Sequence, residues 1–388
     1  MLSCKMKRFI ILLLSLLCTL GVQAAGLRVG AERREQYLPM LANRRVALLA
    51  NHTSMVGEEH LVDMLCSEGV NITAISSPEH GFRGTADAGE KVASGVDEKT
   101  GIPIHSLYDG NKKRPSDEVM RSFDLLVVDM QDVGLRFYTY YITMLRMMEA
   151  CAEFGLQVVV LDRPNPNGMY VDGPILDMRY KSGVGALPIP VVHGLTMGEI
   201  ARMAVGEGWT SRVNLTIIPV EGYRREMRYV LPIAPSPNLR TQRAIYLYPA
   251  VCLFEGTIIS LGRGTDAPFE MYGHPAMSDC NFKFTPRSTA GAKNPPLLDR
   301  ECRGVDLRKV DCQTIISEGF TLKYVIDAYR RTGSQGEEFF TPFFEKLVGV
   351  DYIRQMIIEG RSEGEIRARW AGDVAHFCEQ RTPYLLYE

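Results

Sequence analysis

The first half of the chain contains five short strand-like runs, and each run stops at a cluster of polar side chains. The runs cover residues 45–50, 71–77, 124–128, 157–161 and 189–192. Continuous apolar runs of this length are typical of parallel strands that are covered on both faces. In an open α/β sheet, ligands bind outside the carboxyl ends of the strands. The pattern therefore predicts a buried sheet whose carboxyl edge forms one ligand site.

Segments of helical period lie between the runs, as the connections of a parallel sheet require. Residues 138–154 place apolar side chains on one stripe. Thr196 and Glu199 form a capping box that opens a helix running to Val205. We expect the sheet to end near residue 220. The order of strands and helices predicts an α/β fold with a Rossmann-like, mostly parallel sheet domain.

The amino-acid composition of the sequence changes after the last strand of this predicted sheet. Residues 232–240 contain three prolines and are typical of an extended connector. A stretch rich in glycine and proline follows, and helical patterns cover residues 321–331 and the chain from the capping box at 362–365 to about Glu379. We therefore predict a catalytic domain over residues 26–235 and a smaller C-terminal auxiliary α+β domain over residues 236–388.

The N-terminus resembles a secretory signal peptide. Lys5, Lys7 and Arg8 precede an apolar core, and a small-residue site at 22–24 follows it. The apolar core is too short for a membrane span. We expect residues 1–25 to be cleaved and the mature protein to be periplasmic.

Charge and cysteine content narrow the choice of partners. The chain has 44 basic and 46 acidic residues, and loss of the leader would leave 41 basic residues. A mildly acidic balance without charge runs argues against nucleic acid or a stable membrane association. Seven cysteines remain after the leader, without CxxC spacing, and a disulfide among Cys280, Cys302 and Cys312 is compatible with an oxidising compartment.

No phosphate-binding glycine fingerprint follows the first strand, and no Walker A motif occurs in the chain. We therefore predict no nucleotide or other cofactor and no metal.

Glu79 is the strongest candidate for a general acid. It follows Pro78 at a strand end and stands near Phe82, whose apolar side chain would raise the pKa of the carboxyl group. The alternative is a structural carboxylate that pairs with Arg83. His80 and His52 could orient Glu79, bind a metal or hydrogen-bond the backbone.

Asp129 and Asp132 offer the second carboxyl group. Asp129 continues an apolar strand and is the more natural partner, whereas Asp132 is held in reserve; an Asx turn is the structural alternative for Asp129. The strand ends also supply candidate substrate contacts, with arginines suited to a carboxylate and tyrosines suited to a sugar ring. These candidates are Asn51, His52, Arg83, Gln131, Arg136, Tyr138, Asp162, Arg163, Asn165, His193 and Arg263.

Six motifs resemble the NamZ-type exo-β-N-acetylmuramidases, formerly a bacterial domain of unknown function. They are P-E-H-G-F-R-G (78–84), D-M-Q-D-V-G-L-R-F-Y-T-Y (129–140), L-D-R-P-N-P-N-G (161–168), V-V-H-G-L-T-M-G-E-I-A-R-M (191–203), P-S-P-N-L (235–239) and F-E-G-T-I-I-S-L-G-R-G-T-D-A-P-F-E (254–270). Ile258 departs from the family pattern, where a polar residue is expected.

The resemblance implies release of terminal N-acetylmuramic acid from the non-reducing end of peptidoglycan fragments, so a muropeptide is the expected partner. Glycoside cleavage uses two carboxyl groups, and the substrate's own 2-acetamido group could replace the second one as nucleophile. Two rival interpretations stay open. One is a metal-dependent hydrolase with His52, His80, Asp129 and His193 as ligands. The other is a muropeptide-binding protein without activity.

Overall fold

A computed structural model of the chain describes residues 26–78, 81–82, 94–107, 114–333 and 338–388. Glu79, His80, Arg83 and the signal peptide predicted over residues 1–25 lie outside the described residues. No helix in the described part of the chain combines the length and the apolar character that a membrane span needs.

A seven-stranded sheet forms the centre of the N-terminal half, as the runs of apolar residues predict. Its order is β5-β6-β4-β1-β7-β8-β9, and every neighbouring pair is parallel except β5 with β6. The strands of this sheet are β1 (Arg45–Ala50), β4 (Asn71–Ser77), β5 (Gly95–Val96), β6 (Pro103–Ser106), β7 (Leu125–Asp129), β8 (Gln157–Leu161) and β9 (Asn214–Ile218), and the small hairpin β2 (Met55–Val56) and β3 (Glu59–His60) follows β1.

Both faces of this sheet are covered. Alternate side chains of β1 and β7 enter two different apolar clusters, because successive residues of a strand point to opposite faces. The helices of this half are α1 (Arg34–Leu41), α2 (Leu61–Ser67), α3 (Asp117–Met120), α4 (Tyr140–Glu153) and α5 (Met197–Gly206). Side chains of α1 and α2 belong to one cluster, and side chains of α4 and α5 belong to the other.

The fifth predicted strand, residues 189–192, is not part of the sheet. Val192 makes only isolated bridges, to Leu135 and Asp172. Pro190 lies inside the run, and proline cannot donate to a ladder hydrogen bond, which excludes it from a central strand. The run is apolar because it is buried in the apolar cluster that also contains α4, and β9 takes the place at the edge beside β8.

The C-terminal half combines a three-stranded antiparallel sheet with short helices. The sheet has the order β10-β12-β11. Its strands are β10 (Met271–His274), β11 (Phe282–Phe284) and β12 (Cys302–Asp306), and the helices are α6 (Gln242–Val251), α7 (Cys312–Glu318), α8 (Lys323–Thr332), α9 (Phe344–Val348), α10 (Tyr352–Ile358), α11 (Glu363–Arg367) and α12 (Ala371–Arg381).

The helix predicted after the capping box at 362–365 is two helices in the structure. The capping box itself is present at Ser362, but α11 ends at Arg367 and α12 begins after Trp370. Trp370 is buried, and its indole N–H donates to Asp172 at 3.0 Å. This anchoring of Trp370 in the core coincides with the break between the two helices. The α/β architecture agrees with the prediction, whereas the predicted domain boundary at residue 235 stays a prediction, since one apolar cluster runs through both halves.

All seven described cysteines are free thiols. The disulfide considered for Cys280, Cys302 and Cys312 is therefore absent. Cys280 and Cys302 are buried, where a thiol packs as a small apolar side chain.

Candidate active site

The loop after β1 is tied to the end of β7 by a chain of short hydrogen bonds. The Asn51 carboxamide oxygen accepts from the backbone N–H and the hydroxyl of Thr53, at 3.0 and 2.6 Å. The Thr53 hydroxyl accepts from the N–H of Gln131 at 3.0 Å, and the Ser54 hydroxyl donates to the carbonyl of Asp129 at 2.5 Å. The two neighbouring strand ends therefore form one rigid edge, as the position of β1 beside β7 requires.

Asp129 forms a buried ion pair with Arg163 at this edge. The Asp129 carboxylate accepts from Nε and Nη2 of Arg163 at 2.6 and 2.9 Å, and Nη2 also donates to the carbonyl of Met55 at 2.8 Å. Both side chains are buried. Each carboxylate oxygen of Asp129 therefore already has a charged donor, and the pair joins β7 to β8.

Asp132, three residues further on, has a different environment. One carboxyl oxygen accepts from the N–H of Gly134 at 2.6 Å, and the other is buried without a hydrogen-bond partner among the described residues. Burial raises the pKa of Asp132 to about 7. A carboxyl group that ionises near neutral pH is suited to proton transfer, so Asp132, and not Asp129, has the properties of an acid–base group.

Gln131 and Asn165 hold the loops after β7 and β8 together. The Gln131 carboxamide donates to the carbonyls of Asp132 and Pro164, each at 2.8 Å. The Asn165 carboxamide donates to Leu195 and accepts from the N–H of Asn167. These bonds position the Asp132 loop, since they use the amide group of Gln131 and both the donor and the acceptor of Asn165 on the protein itself.

Asp162 lies at the end of β8 but faces the opposite side of the sheet from Arg163. Its carboxylate accepts from the hydroxyls of Thr196 and Tyr387, each at 2.6 Å, and from the N–H of Gly198 at 2.8 Å. Burial raises the pKa of Asp162 to about 6, against the effect of these hydrogen bonds. Asp162 therefore anchors the first turn of α5 and the C-terminal segment in place of the expected substrate contact.

Arg136 is fully buried, and its guanidinium hydrogen-bonds backbone carbonyls. Its guanidinium donates to the carbonyls of Pro174, Ile189, Leu347 and Val348 at 2.7 to 2.9 Å. Burial lowers its pKa to about 10. The structure thus gives Arg136 a role in joining the two halves of the chain, instead of the predicted contact with a substrate carboxylate.

His193 is also fully buried. Its Nδ1 accepts from the N–H of Leu195 at 3.1 Å, and its ring lies 6.5 Å from that of Tyr141. Burial and the neighbouring Arg381 and Arg136 lower its pKa to about 3, so the ring is neutral. His193 is fully buried beside Tyr141 in the core of the protein.

Tyr138, which was expected to face a sugar, is buried, and its hydroxyl converges with that of the buried Tyr140 on one carbonyl. Their hydroxyls donate to the carbonyl of Pro235 at 2.8 and 3.3 Å. His52 also contacts this connector, with Nε2 lying 2.9 Å from the carbonyl of Ala234. The connector after β9 therefore lies across the strand-end edge. Tyr138 is close enough to Asp132 for the carboxylate to raise its pKa, after the larger effects of burial and of Tyr140.

The remaining candidate, Arg263, lies in the C-terminal half. It pairs with Glu255, to which Nε and Nη2 donate at 3.0 and 2.6 Å. Glu255 was not singled out from the sequence. The sequence did contain a signal for Glu255, because this residue stands eight positions before Arg263 within the same family motif at 254–270. Ile258, the departure from the motif, is half-buried against the core.

Among the described residues, no three His, Cys, Asp or Glu side chains converge as metal ligands. The described members of the rival metal set have other partners: Asp129 is paired with Arg163, His52 contacts the carbonyl of Ala234, and His193 accepts from the N–H of Leu195. Their arrangement does not fit a metal centre.

Residues 46–243 match the family described as exo-beta-N-acetylmuramidase NamZ, N-terminal, and residues 246–387 match its C-terminal counterpart. The peptidoglycan beta-N-acetylmuramidase NamZ of Bacillus subtilis (strain 168) is 37% identical over 373 residues, which cover 90% of this chain and 89% of the relative.

Two crystal structures of DUF1343 family proteins from Bacteroides fragilis NCTC 9343 share the fold. One has a TM-score of 0.88 at 54% identity and covers 94% of this chain and 99% of its own; the other has a TM-score of 0.79 at 29% identity, with 93% and 99% covered. Family matches over nearly the whole chain, together with the shared fold, lead to one conclusion: the chain belongs to the NamZ family of exo-β-N-acetylmuramidases.

Proposed function

We propose that the protein is an exo-acting glycoside hydrolase that releases terminal N-acetylmuramic acid from the non-reducing end of peptidoglycan fragments. Family membership supports the reaction class. The observation that carries the chemistry is Asp132, a buried carboxyl group at the carboxyl edge of the sheet with a pKa of about 7 and one unpartnered oxygen within the described chain.

Cleavage of the glycosidic bond needs a proton donor to the leaving oxygen and a second carboxyl group. We assign Glu79 as the proton donor, because it follows Pro78 at a strand end and stands near Phe82 in the sequence. The second group is Asp132, since the oxygens of Asp129 are already occupied by Arg163. Ionised Asp132 accepts a proton from the attacking water, or accepts a hydrogen bond from the amide N–H of the substrate's 2-acetamido group.

These two routes leave different anomers. Attack by water gives inversion at the anomeric carbon, and attack by the 2-acetamido oxygen followed by water gives retention. Proton NMR of the fresh product, recorded before mutarotation, distinguishes them.

The test of the function is hydrolysis of a chromogenic β-N-acetylmuraminide. We expect turnover by the wild-type protein, before and after dialysis against EDTA. A protein that binds the substrate tightly and forms no product on prolonged incubation would be a binding protein, and loss of turnover that a metal ion restores would favour the metal-dependent hydrolase.

The proton donor is tested separately. Glu79→Gln should lower kcat at least about a hundredfold, because general acid catalysis typically contributes a factor of this size. Binding of N-acetylmuramic acid and the melting temperature should stay close to wild type. A variant with a near-normal rate would exclude Glu79 as the acid.

We also propose that the protein acts in the periplasm after cleavage of residues 1–25. Support comes from the basic, apolar and small-residue order of the leader. N-terminal sequencing of the exported protein should find a start near residue 25. An intact Met1 on the functional protein would contradict this localisation.

A further inference from the structure

A cavity of about 560 Å³ lies in the C-terminal half, outside the strand-end edge. Its volume falls in the range of pockets that hold small ligands. Part of its wall is apolar, with Ile259, Leu261 and Phe343, and part is charged, with Glu255, Arg263 and Lys293. Glu255 pairs with Arg263 at this wall.

Arg263 is held in a fixed orientation at the cavity. Its Nε and Nη2 donate to one carboxylate oxygen of Glu255, and its guanidinium carbon lies 5.0 Å from the ring centre of Phe269. Nη1 has no hydrogen-bond partner among the residues that the structure describes. A guanidinium fixed on one edge and open on the other is prepared to bind a planar anion.

Two series of contacts connect the cavity with the strand-end edge. The ring of Tyr138 lies 6.2 Å from that of Tyr248, which lies 4.9 Å from Phe269. Phe269 in turn supports Arg263.

The second series runs through the connector. The carbonyl of Pro235 accepts from Tyr138, and the carboxamide of Asn238 donates to the carbonyl of Gly291 at 2.7 Å, which lines the cavity. The cavity and the Asp132 loop are therefore joined through packed side chains and the connector.

We propose that this cavity binds the carboxylate-bearing part of the substrate, with Arg263 as the contact to the carboxylate. The assignment rests on the proposed function. A muramic acid residue carries its carboxylate on a lactyl ether; when a stem peptide is attached, that carboxylate becomes an amide and the peptide supplies acidic groups instead. The apolar wall suits the methyl groups and methylenes of either form.

Three aryl glycosides distinguish the lactyl carboxylate from the peptide carboxylates as the group that Arg263 binds. The first is a β-N-acetylglucosaminide, which has no carboxylate. The second is a β-N-acetylmuraminide, which has the free lactyl carboxylate. The third is the muraminide with an alanyl-isoglutamate amide on the lactyl group, which has only peptide carboxylates.

Arg263→Gln should raise KM for a carboxylate-bearing substrate on the order of tenfold to a hundredfold, since a hydrogen bond to a charged group contributes about 1.5–3 kcal/mol. The KM for the glucosaminide should stay unchanged, and so should kcat. An effect confined to the second substrate assigns the lactyl carboxylate, and an effect confined to the third assigns the peptide.

Arg263→Gln leaves Glu255 unpaired, so folding needs its own control. The double variant Glu255→Gln and Arg263→Gln removes both charges, so that neither partner of the half-buried pair is left without the other. Arg179→Gln is the matched control, because Arg179 is an exposed arginine in an ion pair with Asp177. Its KM values should equal those of wild type for all three substrates.

An equal change in KM for all three substrates, in both Arg263 variants, would overturn the proposal. Failure of the proposed function gives another result: the wild-type protein would hydrolyse no muraminide. In that case titration calorimetry of free N-acetylmuramic acid against N-acetylglucosamine still tests the cavity. Equal affinities for the two sugars in wild type would overturn it.

Discussion

Asp129 and Asp132 stand three residues apart and are both buried, yet their surroundings give them different roles. The Asp129 carboxylate lies 2.6 Å from Nε of Arg163, and the guanidinium compensates its charge. Burial raises the pKa of Asp132 to about 7, against the effect of backbone hydrogen bonds from Gly134 and Val133. At the scale of the residue, the partners and not the residue type give these two carboxyl groups different roles.

Asp132→Asn should abolish turnover and stabilise the protein at high pH. The pKa of Asp132 is raised in the folded state from 3.8 to about 7, so its contribution to stability is full below pH 3.8 and is lost as the pH rises through 7. Asparagine stays neutral, so the variant should be more stable than wild type above pH 7, by at most about 4 kcal/mol. Urea unfolding at pH 4 and pH 8 measures this difference.

The pH profile of the wild-type enzyme provides the second readout for Asp132. If ionised Asp132 is the active form, kcat/KM should rise as the pH increases through about 7. A rate that does not change between pH 5 and 8 would contradict the role of Asp132 as the second carboxyl group.

Asp129→Asn should have the opposite effect on stability. It leaves the buried Arg163 without its counter-ion, which typically costs about 3–5 kcal/mol. Asp124→Asn is the matched control, because Asp124 also pairs with an arginine, Arg45 at 2.6 Å, but on the surface. We expect a clear drop in the free energy of unfolding for Asp129→Asn alone; equal values for the two variants would show that the Asp129 pair is not needed for stability.

At the scale of the element, the loop between β7 and α4 is the part that places Asp132. Gly134 lies in this loop with φ of 81°, a conformation that L side chains rarely adopt. A Cβ on Gly134 would lie 2.1 Å from the carboxamide oxygen of Asn165. The loop can therefore close on Asn165 only because residue 134 is glycine.

Gly134→Ala should displace Asn165 and weaken the bond from the N–H of Gly134 to Asp132. We expect a loss of stability of about 2–4 kcal/mol and a loss of turnover, since backbone strain and the steric clash add. Gly155→Ala separates the two effects. Gly155 also has a positive φ, of 67°, but its Cβ would meet nothing within 4 Å.

The Gly155 variant should cost only about 1–2 kcal/mol and leave kcat unchanged. Thermal unfolding and the chromogenic assay measure both variants. If the Gly134 and Gly155 variants lose equal stability and keep equal rates, the contact with Asn165 does not position the loop.

At the scale of the whole molecule, a single apolar cluster and a few buried polar side chains join the two halves of the chain. Arg136 connects carbonyls on both sides, at Pro174 and Ile189 and at Leu347 and Val348. Asp172 accepts from Trp370 and from Arg367 of the C-terminal helices. The C-terminal half is therefore built onto the face of the sheet that α4 covers, and it completes the surroundings of the strand ends.

Arg136→Met should destabilise both halves together. Methionine has a similar length but leaves the carbonyls of Pro174, Leu347 and Val348 without their donor, at about 1–3 kcal/mol for each group. The Ile189 carbonyl keeps the N–H of Leu176. We expect a drop of at least about 3 kcal/mol in the free energy of unfolding, with tryptophan fluorescence and circular dichroism following one transition. A wild-type stability in this variant would mean that the two halves are held together by apolar packing alone.

Much of this fold could be predicted from the residues in order. The runs at 45–50, 71–77, 124–128 and 157–161 are strands, and the capping boxes at Thr196 and Ser362 open helices. These predictions succeed because strand and helix periodicity and capping depend on residues close together in the chain. The strand predicted at 189–192 was wrong, and the reason, Pro190, lies within the run itself.

The roles of the site residues could not be obtained in the same way. The sequence by itself determined the family, the parallel sheet and the edge at which its polar residues collect. Only the tertiary structure decided that Asp129 forms an ion pair with Arg163. It also decided that Asp162 hydrogen-bonds α5 and Tyr387, and that Arg136 hydrogen-bonds backbone carbonyls. Ionisation and hydrogen bonding depend on neighbours that are distant in the chain, from 34 to 225 residues in these cases, and such neighbours exist only once the chain has folded.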